Sequence, residues 1–295
     1  MSSKVVYLLN QSLISSPSWL PENMMYETMV GSTAYGVSSN WSDIDLLGFC
    51  IPPKEIVFPH LAGEILGFGR HKERFEQFQQ HAVKDQENEY DVTIYNIVKY
   101  FRLCMENNPN IIDSLFTPEN CVLFITEIGK MVRENRRIFL HKGCWHKFKG
   151  YAYSQLHKLS SKNPIEGKRK EIVEKYGYDV KFALHTVRLL SEVEQILSEG
   201  ELDLQRNREQ LKSIRRGEWT KEEIKEYFVR KEAELGKLYL ESKLPYSPDE
   251  GKIKNLLLEC LEQHYGSLTG CITDPDRNLD YLREIKTIVD KVLGV

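Results

Sequence analysis

The stretch that decides the fold of this chain is MVGSTAYGVSSNWSDIDLLGFCI, residues Met29 to Ile51. A short apolar run ends in the pair Gly31-Ser32, a small polar loop follows, and Asp43 and Asp45 open a second apolar run. Because a strand alternates its side chains between two faces, the two aspartates point to the same side, with Cα atoms about 6 to 7 Å apart. The stretch is therefore either a polar turn or one end of a metal site.

Two carboxylates that converge from one strand repel each other unless a cation lies between them. Mg²⁺ prefers oxygen ligands and is usually held by one or two carboxylates together with substrate phosphates. The backbone at Gly31 and the hydroxyl of Ser32 are suited to bind those phosphates. Alone, the Gly-Ser turn is uninformative, and the S-D-I-D run also fits an exposed strand start or a helix cap. Their combination at short spacing favours a metal and phosphate site.

The length, the cysteine content and the apolar segments of the chain limit the class of protein it can be. At 295 residues the chain is long enough for a large hydrophobic core in one domain or two. Its six cysteines are scattered and form no C-x-x-C pair, which predicts reduced thiols in a cytoplasmic protein. The first residues predict a short amphipathic helix, and no segment approaches the roughly 20 apolar residues of a membrane span. We therefore expect no membrane partner.

Short apolar runs bounded by Gly, Ser and Pro predict strands at residues 25–31, 44–51 and 90–98. The third run passes into helical spacing that ends before Asn107-Asn108-Pro109. Between the second and third strands we expect a long excursion with a helix around Glu73 to His81. From about Ile111 onward the pattern is helical and no further strand is predicted.

The predicted fold class is α+β, with a small mixed sheet and flanking helices followed by an all-helical C-terminal domain. We place the boundary near Pro118 to Phe124, which divides the chain into residues 1–122 and 123–295. The mixed-sign stretch from Glu199 to Lys243 predicts solvated helices and turns.

A family resemblance appears in the same residues. GSTAYG, then SDIDLLGF, then IPP resembles the nucleotidyltransferase signature of the DNA polymerase beta superfamily, in the branch linked to RNA repair. The segments 91–95 (DVTIY), 107–116 (NNPNIIDSLF) and 177–190 (GYDVKFALHTVRLL), together with Lys99, resemble later blocks of that branch. No resemblance extends beyond Glu199.

The resemblance implies transfer of a nucleoside monophosphate from a nucleoside triphosphate to a hydroxyl, with release of pyrophosphate. It also implies two Mg²⁺ ions, with Mn²⁺ as a substitute, held by three catalytic carboxylates. Asp43 and Asp45 match the first two, and Asp91 is the best match to the third. Glu89, on the same strand face, is the competing third ligand, and Asp113 falls in a helical run and matches less well.

The resemblance also implies a set of nucleotide-binding residues, with ATP among the candidate nucleotides: Gly31, Ser32, Tyr35, Ser42, Lys181, His185 and Arg188. The last three share a helix face, which composition alone interprets as solvated and the resemblance interprets as phosphate-binding. Tyr35 is expected either to stack on the base or to pack between strands, and His185 either to bind phosphate or to lie in the core. Asp179 is expected to cap the helix rather than to bind metal.

The net charge of the chain is −3, but the segment from Ile128 to Lys170 contains twelve Lys or Arg residues and only two carboxylates. Positive charge interleaved with aromatic rings is typical of a surface that binds unpaired RNA, although most charge runs are solvated helix faces. We single out Lys142, Lys147 and Lys149 as candidate RNA contacts.

The leading prediction is a Mg²⁺-dependent nucleotidyltransferase acting on an RNA end, with tRNA as one candidate. One alternative keeps the chemistry but moves it to a protein or small-molecule hydroxyl, as in adenylylation. The other is a catalytically silent, RNA-binding regulator with the same fold. The oligomeric state, the transferred base and the number of additions have no signal in the sequence.

Overall fold

A computed structural model of the chain describes residues 3–38, 43–58, 60, 63–65, 74–161, 168–266, 285, 286, 288 and 291. In chain order its elements are α1 (Lys4–Asn10), β1 (Met24–Val30), β2 (Ile44–Cys50), α2 (Lys54–Val57), β3 (Gln77–Lys84), β4 (Glu89–Asn96), α3 (Ile97–Met105), α4 (Pro109–Leu115), β5 (Val122–Ile125), α5 (Glu127–Glu134), α6 (Cys144–Ser161), α7 (Lys168–Tyr176), α8 (Val180–Glu199), α9 (Arg208–Arg215), α10 (Lys221–Glu241) and α11 (Glu250–Tyr265). Short 3₁₀ turns occupy Pro21–Asn23, Glu119–Cys121 and Arg136–Phe139.

The five strands form one mixed sheet in the order β3-β4-β2-β1-β5. β2 and β4 are parallel, and every other neighbouring pair is antiparallel. The predicted α+β class, with a mixed sheet and a helical C-terminal part, is confirmed. The three predicted strands are β1, β2 and β4, and the helix predicted after β4 is α3.

The structure corrects two expectations about secondary structure. The segment predicted as a helix around Glu73 to His81 instead contains β3, an edge strand in which Phe78 and Val83 are buried. A bulge at Ala82, which has φ of 53°, interrupts the alternation that would have signalled the strand.

A second strand was also missed. β5, from Val122 to Ile125, pairs with β1, although no strand was expected after Ile111. A four-residue strand is too short to show a period, so only its pairing identifies it. The sheet therefore continues past residue 122, and the division of the chain into two domains stays a prediction.

The sheet lies between two apolar clusters. The smaller one contains Val5 and Leu8 of α1 together with Leu46, Val92 and Ile94 of the central strands. The larger one begins on the opposite sheet face and continues into α3, α4, α6, α8 and α10. Because strand side chains alternate, the residues one position before Leu46 and Val92 face the helical part of the molecule. Those residues are the two aspartates of the central strands.

α8 is the central helix of the C-terminal part and is buried over most of its length. It begins at Asp179, whose carboxylate accepts a hydrogen bond from Lys181 N at 2.9 Å, as expected of a capping residue. It ends at Gly200, which has a left-handed conformation with φ of 62°. Within the described residues, no helix is both long and apolar enough to cross a membrane.

Candidate active site

The loop from Gly31 to Val37 leaves the end of β1 and turns back on itself. Tyr35 N donates to Gly31 O at 3.1 Å, and Val37 N donates to Ser32 O at 2.9 Å. Gly31 has φ of +65°, and a Cβ atom there would overlap the carboxylate of Asp45. Glycine is required for both reasons, since only it adopts this conformation freely and admits the carboxylate so closely. The loop and the aspartate strand thus form one unit.

The sheet brings the candidate carboxylates together. Asp45 and Asp91 are directly paired in register on the parallel strands β2 and β4, and Asp43 lies two residues before Asp45. Burial raises the pKa of Asp45 to about 6; the charges of Asp91 and Asp43 also raise it, while Lys181 and His81 oppose the rise. Burial and the neighbouring carboxylates thus outweigh the two cations in setting the pKa of Asp45.

Asp91, rather than Glu89, is the β4 carboxylate that lines the cleft with Asp43 and Asp45. Glu89 lies 3.4 Å from the ammonium of Lys84 on the neighbouring edge strand. In the structure the Asp91 carboxylate turns toward β3. It accepts a hydrogen bond from Ala82 N at 2.9 Å, and its Oδ1 lies 3.3 Å from His81 Nδ1.

The donor set fits a hard divalent cation. All three side chains offer carboxylate oxygens, and a cation between them would offset both the burial that raises the pKa of Asp45 and the repulsion from Asp91 and Asp43. Across the described part of the chain, no three His, Cys, Asp or Glu side chains form a compact metal cluster. The Asp91 carboxylate accepts its hydrogen bond from Ala82 N instead.

The carboxylates lie in a cleft of about 760 Å³ between the sheet and the helical part. The sheet wall is polar and includes Gln79, His81, Thr93 and Tyr95. The helical wall carries basic and polar side chains, namely Tyr151, Gln155, Lys158, Lys181, His185 and Arg215. Gly31, Ser32 and Tyr35 line its floor. Carboxylates on one wall and cations on the other suit a metal-bound polyphosphate.

Of the expected nucleotide-binding residues, Ser42 lies outside the described residues. Arg188 was expected to reach a phosphate, but it is only 2% exposed and is not part of the cleft lining. Its Nη1 donates to Asp113, and to the two oxygens of Glu192 at 2.9 and 3.0 Å. Burial raises the pKa of both carboxyls. These two buried carboxylates hold Arg188 away from the cleft. Glu192 follows Arg188 by four residues, so the sequence showed it, but Asp113 lies 75 residues earlier and gave no signal.

Tyr35 joins the same buried network. Its hydroxyl donates to Asp113 at 2.6 Å, and the Arg188 guanidinium lies 4.4 Å from its ring centroid. The ring edges the cleft but is only 3% exposed, so packing, one of the two expected roles, describes its position. The network anchors the Gly31–Val37 loop to α4 and α8.

Two further side chains of the helical part, neither suggested by the sequence, form hydrogen bonds to the backbone of this loop. Gln205 Nε2 donates to Ala34 O at 3.1 Å, and Arg215 Nη1 donates to Val37 O. Both side chains come from a region, beyond Glu199, in which no family resemblance was found. Their spacing from the loop, more than 170 residues, leaves no local signal.

The three lysines proposed as RNA contacts lie elsewhere. Lys142 is buried, with its ammonium 4.4 Å from the Tyr246 ring centroid and 3.4 Å from Leu240 O. Lys147 and Lys149 pair with carboxylates of other elements, at 3.6 Å from Glu106 and 3.3 Å from Glu232. Carboxylates from distant parts of the chain therefore neutralise part of the basic run. A count of charges within the run could not include them.

The same run nevertheless supplies a cleft residue, Lys158. Tyr151, Gln155 and Lys158 follow one another at spacings of four and three along α6, and all three line the cleft. That spacing is the signal that could have identified them, because positions i, i+4 and i+7 share one helix face.

Comparisons with known proteins identify the family. A sequence model of the RNA repair pathway DNA polymerase beta family, RlaP, matches residues 8–246, which confirms the resemblance and extends it beyond Glu199, where none was recognised. No significant match was found among curated proteins. A solved structure of a nucleotidyltransferase-like protein from Exiguobacterium sibiricum is 12% identical, with 96% of this chain and 79% of that chain covered and a TM-score of 0.30. A likeness at that score is too weak to bear on fold or function.

Proposed function

The chain belongs to the RNA repair pathway DNA polymerase beta family, and from this premise we propose that it is a Mg²⁺-dependent nucleotidyltransferase. The proposed reaction moves a nucleoside monophosphate from a nucleoside triphosphate to a hydroxyl at an RNA end, with tRNA among the candidate acceptors. The observation that carries the proposal is the pairing of Asp45 with Asp91 beside the Gly31–Val37 loop, in a cleft with basic side chains opposite.

Asp43, Asp45 and Asp91 would hold two Mg²⁺ ions, or Mn²⁺ in their place. When bound, such ions stabilise the attacking and leaving oxygens of an in-line displacement and acidify the acceptor hydroxyl. The acceptor oxygen bonds to the α-phosphorus, the bond to the bridging oxygen breaks, and pyrophosphate leaves. Asp91 would take the acceptor's proton.

The remaining residues bind and orient the nucleotide. The hydroxyl of Ser32, which lines the cleft, and the loop backbone would donate hydrogen bonds to phosphate oxygens. Lys181, whose charge already acts on Asp45, and Lys158 supply positive charge from the helical wall. His185, which also lines the cleft, is a further donor. A reducing, cytoplasmic setting is part of the proposal, supported by five described cysteines that are all buried and free.

The test is transfer of labelled nucleotide. The full chain is incubated with each α-labelled nucleoside triphosphate, Mg²⁺ and a pool of RNAs that includes tRNAs with intact and shortened ends. We expect labelled RNA and released pyrophosphate with the wild type and the surface control Glu259→Gln, and a loss with Asp43→Asn. No transfer by the wild type to any acceptor, or undiminished transfer by Asp43→Asn, would contradict the proposal.

A second candidate, transfer to a protein or small-molecule hydroxyl, is favoured by one observation. Lys147 and Lys149, two of the expected RNA contacts, are paired with Glu106 and Glu232 rather than presented to a ligand. Parallel reactions with a protein pool and with polyhydroxylated small molecules separate the two. RNA binding with steep salt dependence, without binding or turnover of any nucleoside triphosphate, would instead indicate a silent regulator.

A further inference from the structure

Gln155 on α6 is buried as a residue, and no hydrogen bond joins its side chain to another described residue, but its amide atoms are not fully closed to solvent. Its side chain lines the cleft, and the residue is only 4% exposed. Gln195, buried to a similar degree at 5% exposure, shows the usual arrangement. Its amide nitrogen donates to Asp203 O at 3.2 Å, and its amide oxygen accepts from Asp203 N at 2.9 Å. Gln155 lacks such a pairing at both ends of its amide.

The amide opens into the cleft, since its polar atoms are not among the fully buried side-chain atoms that have no partner. Its hydrogen bonds therefore go to whatever the cleft holds, either water or a ligand. Since the cleft is large enough for a nucleotide, a bound nucleotide can replace that water as the partner of the amide.

Its neighbours indicate which part of the ligand it meets. Tyr151, one turn earlier on the same helix face, lines the cleft and is partly buried against the larger apolar cluster. An aromatic ring in this position offers a stacking surface to a base. Lys158, nearly one turn later on the same face, carries the charge that suits a phosphate. An aromatic ring, an amide and an ammonium in succession correspond to base stacking, base edge and phosphate.

We propose that Gln155 determines nucleotide specificity by binding the edge of an adenine base that stacks on Tyr151. A glutamine amide presents one acceptor and one donor side by side, which match the N6 amino group and N7 of adenine in a bidentate pair. Under this proposal the transferred nucleotide is adenylate. This inference rests on the proposed function, because it assumes that the cleft binds a nucleoside triphosphate.

The experiment measures equilibrium binding of ATP, GTP, CTP and UTP to the full chain with Mg²⁺, and in parallel kcat/KM for transfer. Gln155→Ala removes the amide, and Gln155→Met preserves its length and removes only its polar atoms, in case the smaller side chain disturbs α6. Gln263→Ala, on the exposed face of α11, is the matched control. Circular dichroism verifies that each variant is folded.

We expect the wild type and Gln263→Ala to prefer ATP, and both Gln155 variants to lose roughly 5- to 100-fold of that preference, mainly through weaker ATP binding. Tyr151→Ala should weaken binding of every nucleotide by roughly 5- to 100-fold while the order of preference is kept. If nucleotides bind and the preference is the same with and without Gln155, this inference is wrong and the proposed function stands. If no nucleoside triphosphate binds to the wild type, both are wrong.

Discussion

Gly31 and Asp45 approach each other so closely that the carboxylate of Asp45 occupies the space of a Cβ atom on Gly31. The contact joins the turn that ends β1 to the second residue of β2, so the conformation of the loop and the direction of the carboxylate depend on each other. If the proposed function is correct, this mutual placement sets the distance between the bound cations and phosphates, and its loss has measurable consequences.

Gly31→Ala is expected to lower transfer activity at least about 100-fold, because the added Cβ displaces Asp45 and a shift of about 1 Å in a reacting group has that effect. It should also cost about 1 to 2 kcal/mol of stability, since alanine is strained at φ of +65°. Gly236→Ala, in α10 with open space around it, is the control and should gain about 0.5 to 1 kcal/mol. Steady-state kinetics and urea unfolding measure both; equal activities of the two variants would contradict the role of Gly31.

Asp91→Asn is expected to reduce transfer at least about 100-fold, because the amide weakens both cation binding and proton acceptance. Glu89→Gln, two residues away on the same strand face, is the matched control and should retain activity within about threefold, since its present partner is Lys84. Calorimetric titration of Mn²⁺ in the presence of a nonhydrolysable triphosphate supplies a readout independent of turnover. The reverse pattern would identify Glu89 as the third ligand.

Lys158→Gln is expected to raise the KM for the nucleoside triphosphate roughly 10- to 100-fold, as befits the loss of a charged hydrogen bond to phosphate. Lys147→Gln removes the same charge from the same helix, but its ammonium lies 3.6 Å from Glu106 at the surface, so KM should change no more than about twofold. Initial rates at several salt concentrations test the pair. Equal effects would mean that the basic character of α6 acts as a whole.

Arg188→Met is expected to cost about 3 to 5 kcal/mol of stability, because it leaves the carboxyls of Asp113 and Glu192 buried without their cation. Arg206→Met removes an exposed pair with Glu199 and should cost less than about 1 kcal/mol. Equilibrium urea unfolding compares them. Similar losses would show that the buried network stabilises the fold no more than a surface pair does.

Glu27→Gln probes a buried carboxyl remote from the cleft, beside the start of α1. Burial raises its pKa, and hydrogen bonds from Ser3 Oγ and the backbone N–H groups of Val5 and Lys4 offset the rise in part. A raised folded-state pKa means that its contribution to stability is complete below the unfolded value of about 4.3 and is lost as pH rises through the folded value.

The neutral glutamine does not undergo this loss. The stability of Glu27→Gln relative to wild type should therefore increase from pH 4 to pH 8, as measured by urea unfolding at several pH values. A relative stability that decreased over this range would show that the hydrogen bonds outweigh burial in setting the pKa.

Local sequence was enough for the features that depend on near neighbours. Gly31, Asp43 and Asp45 were recognised because strand alternation and the turn operate over a few residues. Asp179 was correctly expected to cap α8 for the same reason. β3 and β5 were missed, because a bulge broke the period of one and the other is only four residues long.

Whether a basic side chain is free to bind a ligand could not be inferred from its neighbours in the sequence. Arg188 looked available for a phosphate until Asp113, 75 positions earlier, was found beside it, and Lys147 and Lys149 looked like an RNA surface until Glu106 and Glu232 were placed. A helix face specifies where a side chain points, but its electrostatic environment depends on elements that pack against it from anywhere in the chain.

By itself the sequence determined the Gly31–Val37 loop, the aspartate strand and the family resemblance, since each depends on residue types at short spacing. Only the tertiary structure decided that Asp91 rather than Glu89 lines the cleft with Asp45, that Arg188 is buried, and that Gln155 faces the cleft. Strand register and helix packing bring together residues that are far apart in the chain, and the charges and hydrogen-bond partners they meet there determine what each can bind.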